Sequence, residues 1–179
     1  MSLLLTAVTT PANTQVIADN AATGLIPTPA VFTTPSPPLI DGNNAYIWSP
    51  NNESGQIVTF QTDFPISGLP INVAVSLIAF YSFAANETAN VSASLQVLDA
   101  SESIVTDTPL FIGLNGGNPD NVTNASGDAL LQTGLSQGET ARIRVTATVT
   151  APVTLPYEPA NTGRYLGEII VRAIFVGLG

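Results

Sequence analysis

The 179-residue chain has no histidine, no cysteine and no lysine. Without cysteine there are no disulfides and no thiolate metal sites, and without histidine no imidazole ligands. Cys-His dyads, Ser-His-Asp triads and Schiff-base lysines are excluded with them. Positive charge is scarce: Arg142, Arg144, Arg164 and Arg172 stand against 13 acids, for a net charge of -9. So few cations cannot neutralise a phosphate backbone, which argues against nucleic acid as a partner. Charged residues make up 9% of the chain, against about 25% in ordinary soluble domains, so Thr, Ser, Asn and Gln must carry the surface. Such a surface lacks the charge that keeps monomers apart, which points to large buried interfaces. The competing reading is a secreted β-protein with a Thr-rich exterior. Long hydrophobic runs are also missing. The most apolar stretch, residues 74–85, is shorter than the roughly 20 residues a membrane helix needs. Residues 1–6 contain no basic residue and only a short apolar stretch, so they do not read as a secretory signal.

Residues 1–40 differ from the rest. They hold Pro11, Pro27, Pro29, Pro35, Pro37 and Pro38, and their only charged side chain is Asp19. Proline fixes φ and drives the preceding residue toward extended backbone, so little helix is expected here. The segment is still rich in apolar residues, among them Leu3, Leu4, Leu5, Val8, Val16 and Ile17. That is not the low-hydrophobicity, high-charge composition of disorder. An extended, apolar, nearly uncharged arm requires a sheet to lie on. The sheet is either its own, as a first strand plus a crossing segment, or that of a neighbouring copy, as an added strand.

Residues 41–179 read as one all-β domain. From Thr140 to Thr150 alternation is strict: Ala141, Ile143, Val145, Ala147 and Val149 share one face, and Thr and Arg the other. This is a half-buried strand. Asn72 to Phe83 is a second strand, apolar on both faces, which predicts a central or covered position. Residues 91–98 follow closely enough to suggest a hairpin with it. The last strand spans about 165–176. Weaker strands are expected over 45–48, 56–61, 103–106, 110–113 and 130–133, with one long loop from Asn115 to Asp128. Short strands punctuated by Gly, Pro and Asn predict an antiparallel β-sandwich of jelly-roll type with an extended N-terminal arm.

Candidate chemistry is sparse. Asp120 and Asp128 lie among Asn, Ser and Thr in the 115–128 stretch, an oxygen-rich set of the kind hard cations accept. Its spacing does not match a calcium loop, and turn-forming Asn and Gly account for it equally well. The acids are scattered rather than paired. Glu168 lies within a strand near Arg172, and a cross-strand salt bridge from it to Arg142 or Arg144 is the expected role. Neither an enzyme nor a cofactor is indicated. Tyr46, Trp48, Tyr81, Tyr157 and Tyr165 are candidates for a sugar-stacking platform, although Trp48 with Phe60 fits a core equally well. Asn-x-Ser/Thr sequons occur at Asn52, Asn86, Asn90, Asn121 and Asn124, and glycosylation would require each to be exposed.

Two stretches carry resemblances. Residues 45–50 (Ala-Tyr-Ile-Trp-Ser-Pro) and 55–64 (Gly-Gln-Ile-Val-Thr-Phe-Gln-Thr-Asp-Phe) resemble the opening strands of jelly-roll modules that are often carbohydrate-associated. Residues 161–172 (Asn-Thr-Gly-Arg-Tyr-Leu-Gly-Glu-Ile-Ile-Val-Arg) resemble the closing strand of bacterial endospore-appendage subunits. Those are small jelly rolls with an N-terminal connector that stack by strand addition into fibres. The resemblance implies a non-enzymatic, self-assembling subunit made without a signal peptide. The cysteines that cross-link those connectors are absent here.

The expectation is therefore a structural subunit at a cell, spore or virus surface, joined to other copies through residues 2–10 and 15–17. On this reading, deletion of residues 1–20 leaves a folded monomer. A carbohydrate- or receptor-binding module is the first alternative, with glycans as partners. A viral capsid or decoration subunit is the second.

Overall fold

The strict alternation of residues 140–150 sets the architecture. The computed structural model describes residues 2–33, 46–115, 122–153 and 163–176, and no helix occurs among them. Twelve strands are present: β1 (Ser2–Val8), β2 (Thr14–Asp19), β3 (Thr28–Pro29), β4 (Val31–Phe32), β5 (Ile47–Trp48), β6 (Ile57–Ile66), β7 (Val75–Ala85), β8 (Ala89–Leu98), β9 (Ile104–Asn115), β10 (Thr123–Leu131), β11 (Thr140–Thr150) and β12 (Tyr165–Phe175). They form two antiparallel sheets. Sheet A runs β10-β7-β12-β5-β4 with β1 also on β12, and sheet B runs β3-β2-β6-β11-β8-β9. From β5 to β12 the chain changes sheet at every step except β8 to β9. This connectivity, with β10-β7-β12-β5 facing β6-β11-β8-β9, is a jelly roll.

Each long strand turns its alternate apolar residues into the space between the sheets. On β11 Ile143, Val145, Ala147 and Val149 are buried, and they meet Tyr165, Ile169, Val171 and Ala173 of β12 in one core. Each such Val or Ile contributes roughly 1.5–3 kcal/mol relative to exposure. Aromatic rings fill the middle. Phe60 stacks on Tyr165 at 5.6 Å and meets Trp48 edge-on, and Tyr81 stacks on Phe83 and Phe111. Within this apolar layer the hydroxyls of Tyr81 and Tyr165 bond to each other at 2.6 Å. Burial pushes the ionisation of both phenols upward, so each stays neutral and satisfies the other.

Four expectations need correction. The leading segment lies on the chain's own sheets, the first of the two placements open to it, rather than crossing to a neighbouring copy. β1 pairs with β12 from Ser2↔Ile174 to Val8↔Glu168, and β2 pairs with β6. Of the residues assigned to a neighbouring copy, Leu3 and Leu5 pack on the molecule's own core and Val16 is buried within it. Leu4, Ile17 and the partly covered Val8 face outward. The physical reason is β5, which pairs with β12 only at Tyr165. The remaining edge of β12 is left open, and β1 occupies it. Deletion of residues 1–20 would strip a strand from each sheet rather than release a folded monomer.

The hairpin of 72–83 with 91–98 does not form either. β7 lies in sheet A between β10 and β12, and β8 lies in sheet B beside β11, so residues 86–88 cross from one sheet to the other. Residues 103–106 and 110–113 belong to one strand, β9, which carries Pro109 at a register irregularity opposite Ser94. An edge strand tolerates a residue without an N–H there. The expected loop up to Asp128 is shorter, because residues 123–131 are strand β10.

Candidate functional site

The two outer sheet faces differ in character. Sheet B presents a polar face. Arg144 on β11 sits opposite Asp63 on β6 and grips its carboxylate with two bonds, Nε to Oδ1 at 2.8 Å and Nη2 to Oδ2 at 2.9 Å. Arg142 reaches the same Oδ2 with Nη1 at 3.1 Å and donates Nε to Gln96 Oε1 at 3.0 Å. Gln96 in turn donates to Asp107 at 3.2 Å. The relay crosses β6, β11, β8 and β9. The Asp63 hydrogen bonds hold the Arg144 guanidinium further above its ordinary range, against partial burial. Open grooves of about 490 Å³ flank Arg144 on either side. Ser92, Ser94 and Gln96 line one of them, and Asn13, Gln15 and Gln61 line the other.

Because these ion pairs remain partly wet, their worth is modest. Asp63→Ala is expected to lower stability by about 1 kcal/mol, read as a urea midpoint, and to leave two adjacent cations whose repulsion is relieved by salt. An unchanged midpoint would show that the relay carries no stability.

Sheet A presents a mixed face with an apolar centre. The strand registers lay its outward residues out in rows across β1, β12, β7 and β10. One row is Thr6, Ile170, Phe80 and Ser126. The next is Leu4, Arg172, Ile78 and Asp128, and on the other side lies Val8, Glu168, Ser82 and Asn124. Leu4 is 68% exposed and Phe80 53%, and Ile170 and Ile174 are also open to water. The apolar second face read from the sequence of β7 is thus central, and no described residue covers it. Leu4, Ile170, Phe80 and Ile78 adjoin one another in an apolar patch rimmed by polar and charged residues, the usual mark of an interaction surface. A second apolar strip, Ile104, Val105, Ile112 and Leu114, lies exposed along the edge strand β9.

The expected ion pair from Glu168 to Arg142 or Arg144 does not form. Glu168 is in sheet A and both arginines are in sheet B, on opposite outer faces of the sandwich. Among the described residues neither Glu168 nor Arg172 joins a salt bridge, and both face outward from β12. The acid that the arginines use is Asp63, which lies just past the strand expected over 56–61. The period-2 pattern of β6 puts it on the same wet face as Thr59 and Gln61, and that signal was sufficient to find it.

Of the proposed sugar platform, Tyr46, Trp48, Tyr81 and Tyr165 are all buried, so none offers a ring to a glycan. Tyr157 lies outside the described residues. Asp120 and Asn121 also lie outside them. Asp128 sits on β10 opposite Ile78, and no group of three or more acids capable of holding a metal occurs among the described residues. Asn52, Asn90 and Asn124 are exposed, whereas Asn86 is buried and accepts the backbone N–H of Arg164 at 3.1 Å, so it is not a glycosylation site in the folded chain. No helix among the described residues is long and apolar enough to cross a membrane.

No family model matches the chain. No curated protein matches it either. Solved structures of similar shape include the infectious bursal disease virus Gt strain, at 10% identity and TM-score 0.41, over 99% of this chain and 57% of that one. Another is the CBM22-2 xylan-binding domain from Paenibacillus barcinonensis Xyn10C, at 12% identity and TM-score 0.39, over 73% of this chain and 80% of that one. A third is the C-terminal family 22 carbohydrate-binding module of Clostridium thermocellum Xyn10B, at 9% identity and TM-score 0.38, over 94% and 96%. The resemblance to endospore-appendage subunits rests on residues 161–172 alone.

Proposed function

We propose that this chain is a non-enzymatic structural subunit that packs against other copies of itself at the surface of a cell, spore or virus. The observation that carries the reading is the outer face of sheet A, where Leu4, Phe80, Ile170 and Ile174 are left open to water. A chain with so few charges has little else to keep that face from another copy. Contact through one self-complementary face closes at a dimer. Growth into a fibre or shell needs a second surface, and the exposed apolar edge of β9 supplies one. Sedimentation velocity and negative-stain microscopy of the full chain test this. Concentration-dependent assemblies are expected, and a monomer at the highest attainable concentration would end the proposal.

A glycan-binding module is the second reading, favoured by the polar grooves beside Arg144. Against it stands the lack of any exposed ring among their described lining residues, since Phe111 is buried. The exposed aromatics among the described residues, Phe32 and Phe80, belong to sheet A. Binding on a glycan array that is lost with Gln96→Ala or Gln61→Ala would favour this reading.

A further inference from the structure

Resting on the self-association reading, we infer that two copies pack sheet A on sheet A around a two-fold axis that runs across the strands through Ile170, so that Glu168 of each copy meets Arg172 of the other. The argument starts from spacing. Glu168, Ile170 and Arg172 are consecutive outward residues of β12, with the charges roughly 13 Å apart, too far to pair within one chain. Both face outward beside exposed apolar neighbours, and neither makes an ion pair among the described residues. Burying such a face with its charges unpaired would cost more than the apolar contact contributes.

Only one of the face-to-face arrangements with β12 over its own copy sets Glu168 and Arg172 on opposite charges. A two-fold axis parallel to the strands keeps each row opposite itself, so that Glu168 meets Glu168 and Arg172 meets Arg172. Shifting that axis between β12 and β7 instead sets Arg172 on Ile78. An axis across the strands, along the row of Thr6, Ile170, Phe80 and Ser126, reverses strand direction and exchanges the rows on either side. Ile170 then meets Ile170 and Phe80 meets Phe80. Glu168 and Arg172 pair twice, once on each side of the axis. The same exchange sets Val8 on Leu4, Ser82 on Ile78, and Asn124 on Asp128, an amide against a carboxylate. The occupant of the face is therefore a second copy, selected by charge complementarity.

The test uses charge reversal in the full chain, with circular dichroism and urea midpoints confirming that each variant folds. Glu168→Arg alone and Arg172→Glu alone each set like charges opposite one another, and each is expected to raise the self-association Kd at least about tenfold. An equal mixture of the two variants restores both attractive pairs and is expected to recover association, as is the double variant E168R/R172E. Single variants that associate like the wild type, or a mixture that stays dissociated, would overturn this packing while leaving self-association standing. A wild-type chain that never associates would overturn the broader reading and leave the face to a partner of different chemistry.

Discussion

A chain carrying Gly167→Ala is expected to be unfolded, or less stable by at least about 3 kcal/mol. Gly167 is an inward position of β12, where the alternation calls for a side chain pointing into the core. A Cβ built there would lie 1.8 Å from the Tyr81 hydroxyl oxygen and 2.4 Å from its Cζ. Tyr81 has no room to yield. Its ring is stacked against Phe83 and Phe111 and meets Phe64 edge-on, and its hydroxyl is held by Tyr165. Moving it breaks the one bond that satisfies both buried phenols, at a cost of about 1–3 kcal/mol for each hydroxyl left alone. The backbone of Gly167 is fixed as well, because it exchanges hydrogen bonds with Thr9 at 2.8 and 3.0 Å. Combining Gly167→Ala with Tyr81→Phe removes the nearest atom but not Cζ, so only part of the loss is recovered. Urea denaturation followed by circular dichroism reads both variants, and a wild-type midpoint for Gly167→Ala would show that the tyrosine pair is not where it is described.

The second large effect is expected at Asp19. Its carboxylate accepts from Ser49 Oγ at 2.5 Å, Gln56 Nε2 at 2.8 Å, Asn51 Nδ2 at 3.0 Å and the Ala21 N–H at 2.8 Å. Gln56 is buried, and its Oε1 receives Trp48 Nε1 at 3.0 Å and the Glu53 N–H at 3.1 Å. The carboxylate thus anchors the side chain that holds the core tryptophan. Asp19→Ala leaves the donors of Ser49 and Gln56 without an acceptor, and the expected loss is about 2 kcal/mol, discounted because Asp19 is partly in water. Asp19→Asn is little better, since it offers a donor to donors. Partial burial pushes the Asp19 carboxyl up, but its four hydrogen bonds outweigh that and bring it below the usual range. A depressed folded value means this contribution is complete above the unfolded value of about 3.9 and disappears as pH falls from there through the folded value. Stability measured from pH 5 downward is therefore expected to fall, and less steeply in Asp19→Ala. Parallel slopes for the two proteins would remove Asp19 from the account.

Much of the fold is legible because alternation reports which face of a strand is dry. The dry residues of β11 and β12 are those the period-2 pattern names, and the all-β architecture follows from them. Alternation does not report which strand lies alongside. β7 and β8 therefore read as a hairpin although their connection crosses the sandwich. Along Leu3, Leu4 and Leu5 the unbroken apolar run hides the alternation altogether. Composition shows that such a segment requires a sheet, but it cannot distinguish the chain's own sheet from that of another copy. The site is half legible for the same reason. Ile78 and Phe80 announce a second apolar face on β7, but the sequence cannot show that nothing in the described fold covers it. Glu168 and Arg172 are visible as charges on one face, whereas their separation from Arg142 and Arg144 is a matter of sheet assignment.

The place of β12 has a consequence for the order in which the sheets can close. It is an inner strand of sheet A, gripped by β1 on one side and β7 on the other, yet it is the last of the twelve to be synthesised. The strands of sheet B all precede it in the chain, whereas β1 and β7 are joined within sheet A only through it. Closing sheet A therefore waits on contacts between segments far apart in the chain, with Ser2 set against Ile174, a pairing of long sequence separation and correspondingly slow formation.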